Sequence, residues 1–152
     1  MKTGQLCTRD TVTATRNTSL AQASKYMRDN HVGSVVVVDE ANPRRPVGIV
    51  TDRDIVVEVL AAGLDYRTMT VGEILSDALV VAWEDDDALT TLRTMRRTGV
   101  RRIPVVDAGG SLAGMVSLDD LLRMAGSALE DIAATIGLEQ SVESERRARL
   151  AS

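Results

Sequence analysis

Apolar positions along the chain follow two periods in alternation. Leu20, Ala23 and Met27, and later Leu89, Leu92 and Met95, recur at three- and four-residue steps, which predicts an amphipathic helix in each half. The runs VVVV at 35–38 and IPVV at 103–106 are too continuously apolar and β-branched for a half-exposed surface, so each predicts a buried strand. A shorter strand precedes each helix, VTAT at 12–15 and LVVAW at 79–83. After each buried strand, a turn marked by Asn42 and Pro43, or by Gly109 and Gly110, leads into a third strand, PVGIVT at 46–51 or LAGMVS at 112–117, and then a second helix. The pattern is β-α-β-β-α, written twice.

The two copies hold register. Asp39 and Asp107 close the buried strands at an offset of 68, which also pairs Gly4 with Gly72, Val12 with Val80, Ala14 with Ala82, Met27 with Met95 and Val32 with Val100. Past the turn, two residues shorter in the second copy, the offset becomes 66 and pairs Gly48 with Gly114, Thr51 with Ser117 and Asp54 with Asp120. This predicts an α/β (α+β) fold with halves at about 1–66 and 67–127 and a helical tail at 128–152. One unit of about 60 residues would leave an apolar face open, so the two are expected to pack with pseudo-twofold symmetry. In the tail, Leu129, Ile132 and Ile136 share a helical face expected to pack on the module or on a sister chain. The final SVESERRARLAS fits a solvated helix, a partner-binding segment or disorder equally well.

Both third strands end in the same motif, Gly48-x-x-Thr51-x-x-Asp54 and Gly114-x-x-Ser117-x-x-Asp120. Two readings fit it. In one, the hydroxyl residue is a helix N-cap and the Asp completes a capping box, satisfying free backbone N–H groups. In the other, the helix N-terminus and hydroxyl receive a phosphate while the Asp accepts hydrogen bonds from a ribose diol. Capping alone does not account for a Gly inside a buried strand, which points to a close backbone approach.

These motifs, the GSVVVVD and RRIPVVD strands and the short TGQL and VGEIL lead-ins, occur in the same order in both halves. With them the chain resembles a tandem CBS-domain protein, a Bateman module, over residues 3–127. The resemblance implies a cleft between the two motifs that takes an adenosine ligand. Asp54 or Asp120 would hold the ribose, and Thr51 or Ser117 would lie near the phosphates. Arg101 and Arg102, just ahead of Ile103 and Pro104, would supply cations or else form a basic strand edge that guards against aggregation, and the first strands, at Val12 and Ala14 or Val80 and Ala82, would flank the base. Arg53 is either a further phosphate contact or a solvated residue on the first helical turn. Its counterpart is Asp119, so the two sites are expected to be unequal, with the Thr51, Arg53 and Asp54 site the tighter one.

Other polar landmarks read more simply. His31 aligns with Gly99 and is expected to end a helix, Glu84–Asp87 to cap and charge a helix start, and Trp83 to pack. A single Cys7 and a single His31 give no metal-ligand spacing, and the chain has no nucleophile with a base beside it, no Walker A motif and no GxSxG, so neither a metal site nor an enzyme is expected. A net charge of −4 and three aromatics argue against nucleic-acid binding. No apolar run is long enough for a membrane span or a secretory signal, which predicts a cytoplasmic protein.

The expected function is regulatory. An adenosine ligand (AMP, ADP, ATP, NAD or S-adenosylmethionine) binds in the cleft, with no cofactor required, and the change is passed to an effector protein. A ligand-free dimeric scaffold is the alternative. A homodimer is expected through the motif helices, around Ile55, Val59, Leu121 and Met124.

Overall fold

The computed structural model describes residues 1–76 and 78–150, so Ala151 and Ser152 of the tail expectation lie outside the described residues. The first half runs α1 (Thr3–Leu6), β1 (Thr13–Ala14), α2 (Leu20–Asp29), β2 (Ser34–Val38), β3 (Pro46–Thr51) and α3 (Asp52–Asp54), which continues as a π-helix over Ile55–Leu60. The second runs α4 (Val71–Ile74), β4 (Ala82–Trp83), α5 (Ala88–Thr98), β5 (Arg102–Val106), β6 (Leu112–Ser117) and α6 (Leu118–Leu150). Two β-α-β-β-α motifs and a long C-terminal helix are thus present as expected.

The repeat extends to sheet register. In each sheet the first strand pairs parallel with the second and the second antiparallel with the third. Val37 sits opposite Gly48 and Val105 opposite Gly114, and the register shifts one residue later in both sheets, between Val37 and Val38 and between Val105 and Val106. Every residue of β2 is buried, so both faces of that sheet are covered. Val35 and Val37 on one face join Leu20, Ala23 and Val59 in the first core, while Ile103, Val105 and Val116 join Ala88, Met95 and Leu121 in the second.

The short lead-in helices cross between halves. α1 docks on the second half, where Thr3 N–H donates to the Asp86 carbonyl at 2.8 Å and the buried Thr3 and Thr91 hydroxyls bond at 2.7 Å. Thr8 then pairs antiparallel with Met115. Conversely, α4 docks on the first half, where Val71 N–H donates to the Thr18 carbonyl and Gly72 N–H to the Arg16 carbonyl, both at 2.8 Å. A boundary at 66/67 therefore divides the sequence repeats but cuts across the packing, since Val71 belongs to the first core and Leu6 and Cys7 pack on the second.

Helix ends follow local chemistry. His31 takes a left-handed φ of 54° where Gly99 takes 72°, and in both halves the next residue's N–H returns to a methionine carbonyl, Val32 to Met27 and Val100 to Met95. In the acidic run, Asp87 caps α5 by accepting from Leu89 N–H, while Glu84 and Asp85 pair with Arg9 and Lys2 of the crossed N-terminal segment.

Three expectations change. Trp83 is 46% exposed at the end of its two-residue strand and is not a packing residue. Of the two packings expected for the tail, the one on the module is not seen among the described residues, because α6 is a single helix of 33 residues that runs about 50 Å. Leu129, Ile132 and Ile136 are 67%, 57% and 51% exposed on it. Finally, Ile55, Val59 and Leu121 are buried within their own half and Met124 is half-buried, so the apolar surface left on the motif helices consists of Val56, Val57, Leu60 and Leu122.

Candidate functional site

Both motifs sit where an antiparallel strand feeds a helix, and both form the capping arrangement in full. In the first, Thr51 N–H and Oγ1 donate to Asp54 Oδ2 at 2.8 Å each, and Asp54 N–H donates back to Thr51 Oγ1 at 3.1 Å. In the second, Ser117 N–H and Oγ donate to Asp120 Oδ2 at 2.8 and 2.5 Å, and Asp120 N–H donates to Ser117 Oγ at 3.3 Å. One carboxylate oxygen of each Asp is committed to its own helix start. The other differs: Asp120 Oδ1 accepts from Arg123 Nη2 at 2.6 Å, whereas position 57, the counterpart of Arg123, is a valine. Burial alone would raise the Asp120 carboxyl, but the Ser117 hydrogen bonds and the Arg123 guanidinium together hold it below the usual carboxylate range.

The motif glycines have a structural cause. A Cβ on Gly114 would lie 2.7 Å from Cys7 Sγ and from the Thr8 carbonyl oxygen, and one on Gly48 would overlap Leu75 Cδ1. The close approach read from the sequence is made by the crossed lead-in segments, not left open beside the motif.

Two clefts adjoin the motifs. A polar one of about 340 Å³ brings together Ser117, Asp120 and Arg123 of the second half with Thr11 and Val12 of the first. Arg102 enters it because it sits directly opposite Ser117 in the β5–β6 pair, so the two side chains share a face. Its Nη2 lies 3.5 Å from where a Gly33 Cβ would be, so the guanidinium reaches the backbone of the first half. The charged lining also includes Asp10, with His31 at the rim of the first half. The other cleft, about 460 Å³, holds Asp54 with Glu58 and Glu73 and has no arginine or lysine among the described residues of its lining. A larger groove of about 610 Å³ follows α2 and the π-helix past Met27, Ile55 and Leu60, and holds neither motif hydroxyl.

The residues singled out in sequence are thus divided. Val12, Arg102, Ser117 and Asp120 meet in one cleft, while Asp54 lies in the other with the half-buried Thr51 bonded to it. Arg53 and Arg101 are exposed and outside both. Ala14, Ala82 and Ile103 are core residues, Pro104 is buried in β5, and Val80 packs half-buried against the second core. Sequence reasoning missed Asp10 and Thr11, which only the crossing brings to the second motif. It also missed Arg123, although its position three residues after Asp120 on a helix was a readable signal.

Comparison with known proteins agrees with this architecture. The CBS domain model matches twice, at residues 4–61 and 71–126. The uncharacterized protein MK0525 of Methanopyrus kandleri is 31% identical over 121 residues, covering 80% of this chain, which spans only 61% of that relative. A CBS domain protein from Pyrobaculum aerophilum complexed with AMP superposes with a TM-score of 0.73 at 27% identity, covering 79% of this chain and 89% of the other. The CBS domain pair of protein MJ0100, in complex with 5-methylthioadenosine and S-adenosyl-L-methionine, gives 0.72 at 26%, covering 82% and 98%. Family models matching both halves, on two sheets of identical topology, make this chain a member of the CBS domain family, with two copies in tandem.

Proposed function

We propose that the chain is a regulatory module that binds an adenosine nucleotide in the cleft between Ser117, Asp120 and Arg102. The observation that carries this reading is the convergence in one polar cleft of a hydroxyl at a helix start, a carboxylate and guanidinium groups. Such groups match a phosphate and a ribose diol. The adenosine class is supported by the relatives crystallised with AMP and with S-adenosyl-L-methionine. Arg102 and Arg123 favour a phosphate in this cleft, and the charged residues described in the lining beside Asp54, all acidic, disfavour one there, so the preference is the reverse of that expected from Arg53.

Binding at a seam built from both halves would alter their relation, and a partner protein would read the change. No catalytic role is part of this reading. Thermal melting with AMP, ADP, ATP, NAD and S-adenosylmethionine tests it. A ligand at about 100 times its dissociation constant stabilises by about 2.7 kcal/mol, which for a chain of this size raises the melting temperature by roughly 5–10 °C. No shift with any of the five would contradict the reading.

The scaffold alternative is favoured by one observation, that in both motifs the hydroxyl and one carboxylate oxygen are already engaged in a complete capping arrangement. Either way the exposed Val56, Val57, Leu60 and Leu122 would be covered by a second copy. Sedimentation as a monomer at all concentrations would contradict that assembly.

A further inference from the structure

The second motif carries a device that the first lacks. Arg123 donates to Asp120 Oδ1 at 2.6 Å, and its side chain is 77% exposed against 15% for that of Asp120, so the guanidinium closes over the carboxylate from the solvent side. Asp120 Oδ2 is held by Ser117, so Oδ1 is the oxygen available to a ligand hydroxyl, and Arg123 occupies it. In the first motif Val57 stands at the corresponding position.

We infer that Arg123 is a specificity-determining latch that makes this cleft select phosphorylated over unphosphorylated adenosine. The inference rests on the nucleotide-binding reading above and concerns what that site discriminates. A neutral nucleoside that brings its ribose to Asp120 displaces Arg123 and offers it no acceptor in exchange, so it loses a charge-assisted hydrogen bond. A nucleotide supplies that acceptor: the guanidinium moves from carboxylate to phosphate, and Oδ1 passes to the ribose. The charges in the lining agree. Asp10 and Asp120 are balanced by Arg102 and Arg123, and without Arg123 the cleft becomes net negative and repels an anion.

Titration calorimetry with AMP and with adenosine, on the natural chain and on Arg123→Gln, tests the latch. The side chain is exposed, so the substitution leaves the core intact, and coincident melting curves without ligand verify this. The natural chain should prefer AMP, and Arg123→Gln should reduce the AMP-to-adenosine affinity ratio by about tenfold, with adenosine bound as tightly as before or more tightly. If both ligands bind the natural chain and the ratio is unchanged in the variant, the latch is overturned and the nucleotide reading stands. If neither ligand binds the natural chain, the latch is overturned, and the nucleotide reading falls with it only if ADP, ATP, NAD and S-adenosylmethionine also fail to bind.

Discussion

Gly114→Ala should be among the most destabilising single-methyl additions in this protein. The new Cβ would lie 2.7 Å from the Thr8 carbonyl oxygen, a backbone atom that has no rotamer with which to withdraw. Thr8 is held on both sides, its N–H donating to Met115 at 2.8 Å and its carbonyl accepting from Met115 N–H at 2.9 Å. Relief therefore requires the crossed N-terminal segment to leave the second sheet. Overpacking of this kind costs about 1–3 kcal/mol, and a backbone obstacle places it at the upper end, roughly 6–12 °C in melting temperature. The atoms nearest a Gly48→Ala Cβ are Leu75 Cδ1, Cγ and Cδ2, side-chain atoms that can shift where a carbonyl held in a strand pair cannot, so this change should cost less. Urea unfolding of both variants decides the point. Equal losses would mean that the N-terminal crossing is looser than described.

Asp120→Ala should abolish most nucleotide affinity, while Asp54→Ala should leave it nearly intact. Asp120 is the carboxylate that shares a cleft with Arg102, whereas Asp54 faces Glu58 and Glu73. Losing a charged acceptor for two ribose hydroxyls costs about 1.5–3 kcal/mol, roughly 10- to 150-fold in affinity. Asp120 also supports its own helix start, so the affinity loss must be read beside a melting curve; Asp120→Asn, which keeps an acceptor oxygen, should retain more of the fold than of the binding. Calorimetry showing a larger loss for Asp54→Ala would restore the first motif as the principal site.

The repeat made most of the fold readable, because two offsets, 68 before the turn and 66 after it, carry strand identity, register and bulge position together. With VVVV and IPVV fixed as buried strands, the pairing of Val37 with Gly48 and of Val105 with Gly114 follows from equal spacing to the turns. The crossing was not readable. TGQL and VGEI carry the same short pattern, and nothing local states which half each will cover; that choice is made by long-range contacts such as Thr3 with Thr91 and Leu75 with Gly48.

The site was less legible than the fold for the same reason. Arg53 stands next to Thr51 in sequence but projects to solvent, while Arg102, distant in sequence from Asp120, reaches its cleft through strand register. The motif glycines likewise signalled a close approach without saying that the chain itself makes it. The tail's apolar positions were correctly placed on a helix, but periodicity could not tell that the helix would leave the module.

The central claim is that the Ser117–Asp120 cleft holds an adenosine nucleotide, and a crystal structure of the chain grown with saturating AMP tests it most directly. The account predicts density in that cleft, with the ribose hydroxyls on Asp120 and the phosphate between Arg102 and Arg123. Nucleotide density beside Asp54 alone, or an empty cleft at saturating AMP, would contradict it.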